Sequence, residues 1–265
     1  MTHSMVGEGT RSIHRRRIVG TAVSITDYQE VLDAIDAAVA DRERIFICCT
    51  PASSLIAARR DRRLGAALAD ADIVTPDGMG VVIAARLLGE SLRGRVYGPD
   101  LMLLQCERAA AAGQRIWLYG GFDDAALDDL RAALAERFPG LSIAGGHSPP
   151  HRDPATRETD RLVAQINADA PDIVWVGTGS PKQELWMHAL RDRLDAPVLC
   201  GVGAAFDFHA GRTAQAPRWL RRGGLEWLFR ALREPRRLGR RYLGTLPHFV
   251  VLVLAQCLRE RRAAP

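Results

Sequence analysis

Two stretches of this chain combine groups suited to acid–base and anion chemistry with glycines that let a ligand come close. The first is Thr75-Pro76-Asp77-Gly78-Met79-Gly80, directly after the apolar Ile73-Val74. A carboxylate between a strand end and a glycine-opened helix can cap that helix. It can equally take a proton from a substrate hydroxyl. The second is Gly177-Thr178-Gly179-Ser180-Pro181-Lys182-Gln183-Glu184, directly after Ile173-Val174-Trp175-Val176. This reads as a buried strand turning tightly into a helix, with Ser180 as N-cap, Pro181 at the first helical position and Gln183 closing a capping box. Such a turn presents unpaired N–H groups and the positive end of a helix dipole, which suits a phosphate. Lys182 beside it is the only lysine in a chain with 36 basic residues. Its plain alternative is a solvated side chain on a well-capped helix.

Other combinations carry less. Asp70-Ala71-Asp72 has the form that metal-dependent sugar transferases use, but it precedes its strand and so falls at the end away from a ligand crevice. No glycine turn fits Gly-x-Gly-x-x-Gly, because Lys182 and Phe206 occupy the sixth positions after Gly177 and Gly201; this counts against a nicotinamide dinucleotide. Asp207 and His209 have no Gly-x-Ser-x-Gly partner, so a hydrolase triad has little support. His147, His151 and Asp153 fall in a proline-rich loop, where a metal site has weak support. Cys48, Cys49, Cys106, Cys200 and Cys257 are odd in number and lack zinc spacing, which suggests reduced core thiols of a cytosolic protein.

The elements that must position these groups follow from apolar periodicity. Strand-like runs recur near 18–25, 45–49, 72–75, 115–119, 141–144, 173–177 and 197–202. Helical patterns separate most of them: Tyr28 to Ala40, Ser53 to Ala69, Gly80 to Leu88, Leu101 to Ala112, Ala125 to Phe138, Ala155 to Ala168 and Pro181 to Leu194. Alternation of this kind predicts an α/β fold, a Rossmann-like, mostly parallel sheet flanked by helices. The glycine turns at Gly78 and Gly80, Gly120 and Gly121, Gly177 and Gly179, and Gly201 and Gly203 then fall at the carboxyl ends of strands, where such folds bind ligands.

At 265 residues and 47% hydrophobic, the chain has ample material for one core. His14-Arg15-Arg16-Arg17 is not followed by a secretory apolar stretch, so residues 1–17 are expected to be a disordered lead and 18–211 the catalytic body. Residues 212–265 hold thirteen arginines against three glutamates, a net +10, while the rest of the chain sums to −5. That segment is expected to be an arginine-rich helical appendage that meets anions. No run of about 18 apolar residues marks a spanning helix, but Phe249 to Leu258 could lie in a membrane interface.

With these motifs assembled, the chain resembles the WecG/TagA/CpsF family of bacterial glycosyltransferases from about Val19 to Leu243. The resemblance rests on an ordered set: Thr75 to Gly80; Arg95-Val96 with Gly98 and Asp100-Leu101; Gly177 to Glu184 with Trp186; Gly201 to Ala204 with Phe206-Asp207; Ala216-Pro217-Arg218-Trp219; Gly224 to Leu228 with Arg230; and Glu234 to Leu238 with Arg240. It implies transfer of a sugar from a UDP-sugar to an undecaprenyl-diphosphate-linked sugar, with inversion, at the cytoplasmic face of the membrane. Asp77 then corresponds to the catalytic base and Arg95 to an active-site arginine. Thr50, Gly78, Gly80, Gly120, Gly121, Gly177, Gly179, Pro181, Lys182, Gln183 and Glu184 would line or shape the substrate site. Arg230, Arg237 and Arg240 would reach the diphosphate. Two departures matter: Ala52-Ser53 follow Thr50-Pro51 where the family commonly has Asn, and Gln215 stands where many members have Arg.

No metal or other cofactor is expected, since arginine forks can hold diphosphate oxygens. The expected partners are the UDP-sugar donor, the lipid-linked acceptor and an anionic membrane surface, without nucleic acid. A homo-oligomer is left open. The donor could be UDP-N-acetylmannosamine, its uronic acid or UDP-glucose. Two other classes remain as competitors: a nucleotide-binding oxidoreductase, and a non-enzymatic adaptor that uses the arginine-rich tail on membrane or nucleic acid.

Overall fold

The computed structural model describes residues 13–149, 156–217, 220, 226–233 and 240–263. Strands β1 (Arg15–Ile18) and β2 (Thr21–Ser24) form an antiparallel ribbon. Helix α1 (Tyr28–Asp41) then leads to β3 (Ile45–Thr50), followed by α2 (Ala52–Ala58), α3 (Arg62–Asp70), β4 (Ile73–Pro76), α4 (Met79–Leu87) and α5 (Gly98–Ala112). Next come β5 (Arg115–Gly120), α6 (Asp124–Arg137), β6 (Ser142–His147), α7 (Thr156–Asp169), β7 (Ile173–Gly177), α8 (Lys182–Leu190), β8 (Val198–Gly201) and α9 (Ala205–His209). Helices α10 (Glu226–Arg233) and α11 (Arg240–Ala263) follow.

Six strands, in the order β4-β3-β8-β7-β5-β6, form one parallel sheet. This is the α/β architecture that the alternating pattern predicts. Burial on both faces explains why β3, β7 and β8 read as near-continuous apolar runs. Phe46, Cys48, Trp117, Val174 and Leu199 pack on one face beneath α2, α4, α7 and α8. Ile47, Ile116, Leu118, Trp175 and Cys200 pack on the other, beneath α1, α5, α6 and α9. Cys48, Cys49, Cys106 and Cys200 are buried free thiols, and Cys257 is half-buried.

Three expectations need correction. The run at 18–25 is not a strand of the main sheet. Val19 and Gly20 take positive φ, fold the chain into the β1–β2 ribbon, and leave Ser24 Oγ to accept from Val74 N at 3.1 Å. The ribbon starts at Arg15, so ordered structure extends into the segment expected to be a disordered lead. The helix expected over Ser53 to Ala69 is two helices, because the Asp61 carboxylate caps α3 by accepting from Arg63 N and Leu64 N.

The C-terminal helix is tied to the body. Phe249 and Val253 are buried in the core beneath α2 and α4. Gln256 Oε1 accepts from Val19 N at 2.9 Å, and its Nε2 donates to Arg17 O at 2.8 Å. Arg16 pairs with both Glu90 and Glu260. The segment Phe249 to Leu258 therefore gives one side to the core and keeps the other exposed. No described helix is long and apolar enough to cross a membrane.

Candidate active site

Beyond the carboxyl ends of β3, β4, β7 and β8 lies a cavity of about 350 Å³. This is within the size range of small-ligand pockets. One wall holds Asp77, Tyr97 and Pro99, and the opposite wall is the turn Gly177 to Ser180 with Gln183. Gly203, Asp207 and Phe208 complete it. A larger hollow of about 490 Å³ opens at the other end of the sheet, where Arg42 and Arg44 are already engaged with Asp172 and Asp195. The ligand chemistry belongs to the smaller one.

Asp77 is not the N-cap residue of α4. The N-cap residue is Gly78. Asp77 N donates to Thr50 O at 3.3 Å, fixing the turn while the half-buried carboxylate faces the cavity. The strand end and glycine turn thus place the carboxylate in the cavity wall.

The segment after α4 runs back along β4: Val96 N donates to Pro76 O at 3.1 Å, and Thr75 Oγ1 donates to Val96 O at 3.2 Å. This brings Arg95 and Tyr97 beside Asp77. The Arg95 guanidinium lies 4.2 Å over the Tyr97 ring, a cation–π contact that keeps a cation at the cavity edge. Tyr97 N donates to the Tyr28 hydroxyl at 3.0 Å. Burial pushes the Tyr28 hydroxyl well above its ordinary pKa; Asp100 and Asp77 raise it further, while the Tyr97 bond and Arg95 oppose them. Tyr28 therefore stays neutral at the back of the site. Gln215, at the position where many family members carry arginine, donates to the Tyr97 hydroxyl at 3.5 Å.

The opposite wall departs from the expected capping. Helix α8 begins at Lys182 with Pro181 in the N-cap position and no side-chain cap. The Ser180 hydroxyl instead accepts from Ser54 Oγ at 2.9 Å. The Gln183 side chain turns inward: its Oε1 accepts from Gly203 N at 2.9 Å, and its Nε2 donates to Glu184 Oε1 at 3.3 Å. Gln183 thus joins the two glycine turns after β7 and β8. Two of the glycines are required by close packing. A Cβ on Gly177 would lie 2.5 Å from the Phe206 ring, and one on Gly120 would lie 2.7 Å from the Gly177 carbonyl carbon.

Of the residues singled out from sequence, Asp77, Gly177, Gly179 and Gln183 meet at the cavity, with Arg95 at its edge. The others lie off its wall, each for a local reason. Thr50 is buried and donates to Cys48 O in its own strand. Gly78 is the cap residue of α4, and Gly80 packs toward Phe249. Gly120 abuts Gly177, and Gly121 O accepts from Ser148 Oγ. Pro181 and Lys182 are exposed at the start of α8, whereas Glu184 is buried beneath Gln183. Arg237 lies outside the described residues. Arg230 and Arg240 fall within α10 and α11, but their side chains lie outside what is described. Tyr28, Tyr97 and Asp207 were not singled out as site residues. Tyr97 and Asp207 sit inside or beside quoted motifs, but nothing local marks Tyr28, the first residue of α1.

Asp70 and Asp72 lie at the opposite end of the sheet, engaged with His188 and with Phe46 N. Among the described residues, no three His, Cys, Asp or Glu side chains converge on a metal position.

We expect Gln183→Ala to leave the Gly203 N–H unpartnered at the cavity wall, at a cost of about 1–3 kcal/mol. The melting temperature, followed by calorimetry, should fall by about 2–12 °C. An unchanged melting temperature would show that Gln183 does not hold the Gly203 turn.

Residues 16–263 match the Glycosyl transferase WecG/TagA/CpsF family. The chain is 33% identical over 197 residues to the N-acetylglucosaminyldiphosphoundecaprenol N-acetyl-beta-D-mannosaminyltransferase of Bacillus spizizenii, covering 74% of each chain. It is 30% identical to the Bacillus subtilis protein of the same name, covering 76% of this chain and 75% of that one. With the Staphylococcus aureus strain MW2 protein of that name it shares 32% identity, covering 68% of each. The parallel sheet, the Asp77 turn facing the Gly177 turn, and a match over nearly the whole length establish that this chain belongs to the WecG/TagA/CpsF family of glycosyltransferases.

Proposed function

We propose that the chain transfers an N-acetylmannosaminyl group from its UDP derivative to N-acetylglucosamine on undecaprenyl diphosphate, with inversion, on the inner face of the plasma membrane. The observation that carries the reading is the Asp77 carboxylate in the cavity wall opposite the Gly177 to Gln183 turn. The relatives' names supply the donor and acceptor. Of the three donors that the family resemblance allowed, N-acetylmannosamine is the one they favour.

In this reading Asp77 accepts the proton of the attacking acceptor hydroxyl. The hydroxyl oxygen bonds to the anomeric carbon as the carbon–oxygen bond to UDP breaks from the opposite face, which inverts the centre. The two phosphates leave with developing negative charge. The glycine turn after β7 offers them backbone N–H groups, and Arg95 offers a cation close to the reacting atoms. Arg230, Arg237 and Arg240 add further guanidinium groups to the diphosphate, as the resemblance implies. Arginines thus do the electrostatic work that a divalent ion does in metal-dependent transferases.

The test is a donor screen on purified protein, with a synthetic lipid-diphosphate N-acetylglucosamine acceptor. Transfer from UDP-N-acetylmannosamine, at least tenfold faster than from UDP-glucose and unchanged by EDTA, is the expected result. Transfer only from another donor would overturn the substrate reading. Loss of turnover on chelation, restored by magnesium or manganese, would overturn metal independence.

A further inference from the structure

An arginine side chain has more rotamer freedom than most, yet a cation stabilises a departing diphosphate only if it is in place as the charge develops. Arg95 follows Gly94 in the segment between α4 and α5 and is half-buried. Its guanidinium lies 4.2 Å over the ring of Tyr97, two residues further on. Tyr97 is only 5% exposed, and the backbone on either side of it is fixed. Before it, Val96 N donates to Pro76 O at the end of β4. After it, Gly98 packs so closely that a Cβ there would lie 3.0 Å from Val202 O. Two further contacts hold the residue itself. Tyr97 N donates to the hydroxyl of Tyr28, which opens α1, and Gln215, beyond α9, donates to the Tyr97 hydroxyl. Three distant parts of the chain therefore converge on one ring, and that ring carries the arginine.

We propose that Tyr97 is a positioning residue: its ring is the platform that holds the Arg95 guanidinium ready for the leaving diphosphate, and Tyr28 and Gln215 hold the platform. The inference rests on the proposed function for the role of Arg95 and adds the side chains through which that role is exerted. The ring face attracts the cation through its quadrupole, and the half-buried setting of Arg95 strengthens the attraction over that at an exposed site. Tyr28 accepts the Tyr97 N–H as a neutral phenol, because burial holds its proton on. A phenolate there would draw the guanidinium off the ring. The division of labour is specific: the ring of Tyr97 acts on Arg95, while its hydroxyl serves only the contact with Gln215.

The test is a double-mutant cycle on the full chain, with Tyr97→Leu and Arg95→Ala alone and together, and Tyr97→Phe beside them. Each protein is read by kcat and by UDP affinity in calorimetry. Tyr97→Leu should lower kcat by about 5- to 30-fold, the span of a cation–π contact from exposed to desolvated. UDP carries the charge of the leaving group, so its binding should weaken by the same order. Tyr97→Phe keeps the ring and should stay within about threefold of wild type in both measurements. Once Arg95 is Ala, adding Tyr97→Leu should lower either value by less than about twofold. Additive losses would mean that the ring only fills space, and equal losses in the Leu and Phe variants would move the effect to the hydroxyl; either result overturns the proposal. If Tyr97→Leu fails to fold, Tyr28→Phe takes its place, since it removes the acceptor of Tyr97 N and keeps both rings. Its effect should be about threefold with Arg95 present and absent without it; equal effects in the two backgrounds would overturn the proposal. A wild type that transfers no sugar would refute the proposed function. The cycle is then read in UDP affinity alone, where coupling of Tyr97 to Arg95 sustains the platform and additivity removes it.

Discussion

Asp77→Asn should lower kcat by a factor of about 10²–10⁴, the range for loss of a positioned general base. UDP affinity and melting temperature should stay close to wild type. The N-cap position of α4 is Gly78, and Asp77 lines the cavity one residue before it. Asn keeps the size and removes only the ability to take a proton. Near wild-type turnover in the Asn protein would mean that another group accepts the proton. A large drop in melting temperature would mean that the carboxylate is structural after all.

The second large effect is on stability. Phe249 lies in the C-terminal helix yet is only 3% exposed, packed into the core against Ala52 of α2 and Gly80 of α4. Phe249→Ala should cost about 3–5 kcal/mol, the usual penalty for a large core side chain cut to a methyl. For a chain of this size that corresponds to a fall in melting temperature of about 6–20 °C. Val251→Ala, on the exposed side of the same helix, should change stability by less than about 0.5 kcal/mol. Equal, small effects at both positions would show that α11 is not docked. The contrast also bears on truncation. A chain cut after Gly211 loses Phe249 and Val253 from the core together with every arginine of the tail, so deletion cannot isolate the electrostatic role. Point substitutions on the exposed side can.

Most of the architecture was legible in the sequence because it follows from local periodicity. Apolar runs such as Ile45 to Cys49 and Ile173 to Val176, spaced by helical patterns, leave little choice but a parallel sheet with both faces covered. Glycines at strand ends marked the crevice for the same reason, and Asp77, Gly177, Gly179 and Gln183 were found there. The failures share one cause: each depended on a partner distant in sequence. A serine before a proline-opened helix looks like a cap, but Ser54, 126 residues away, takes the Ser180 hydroxyl. Gln183 looks like half of a capping box, but the Gly203 N–H draws it inward. Tyr28 carried no local signal, since only the return of Tyr97 along β4 gives it a role. The arginine-rich C-terminus read as a charged appendage because net charge is visible in composition. That one side of its last helix completes the core while the other stays exposed was decided by which residues α11 meets when it packs.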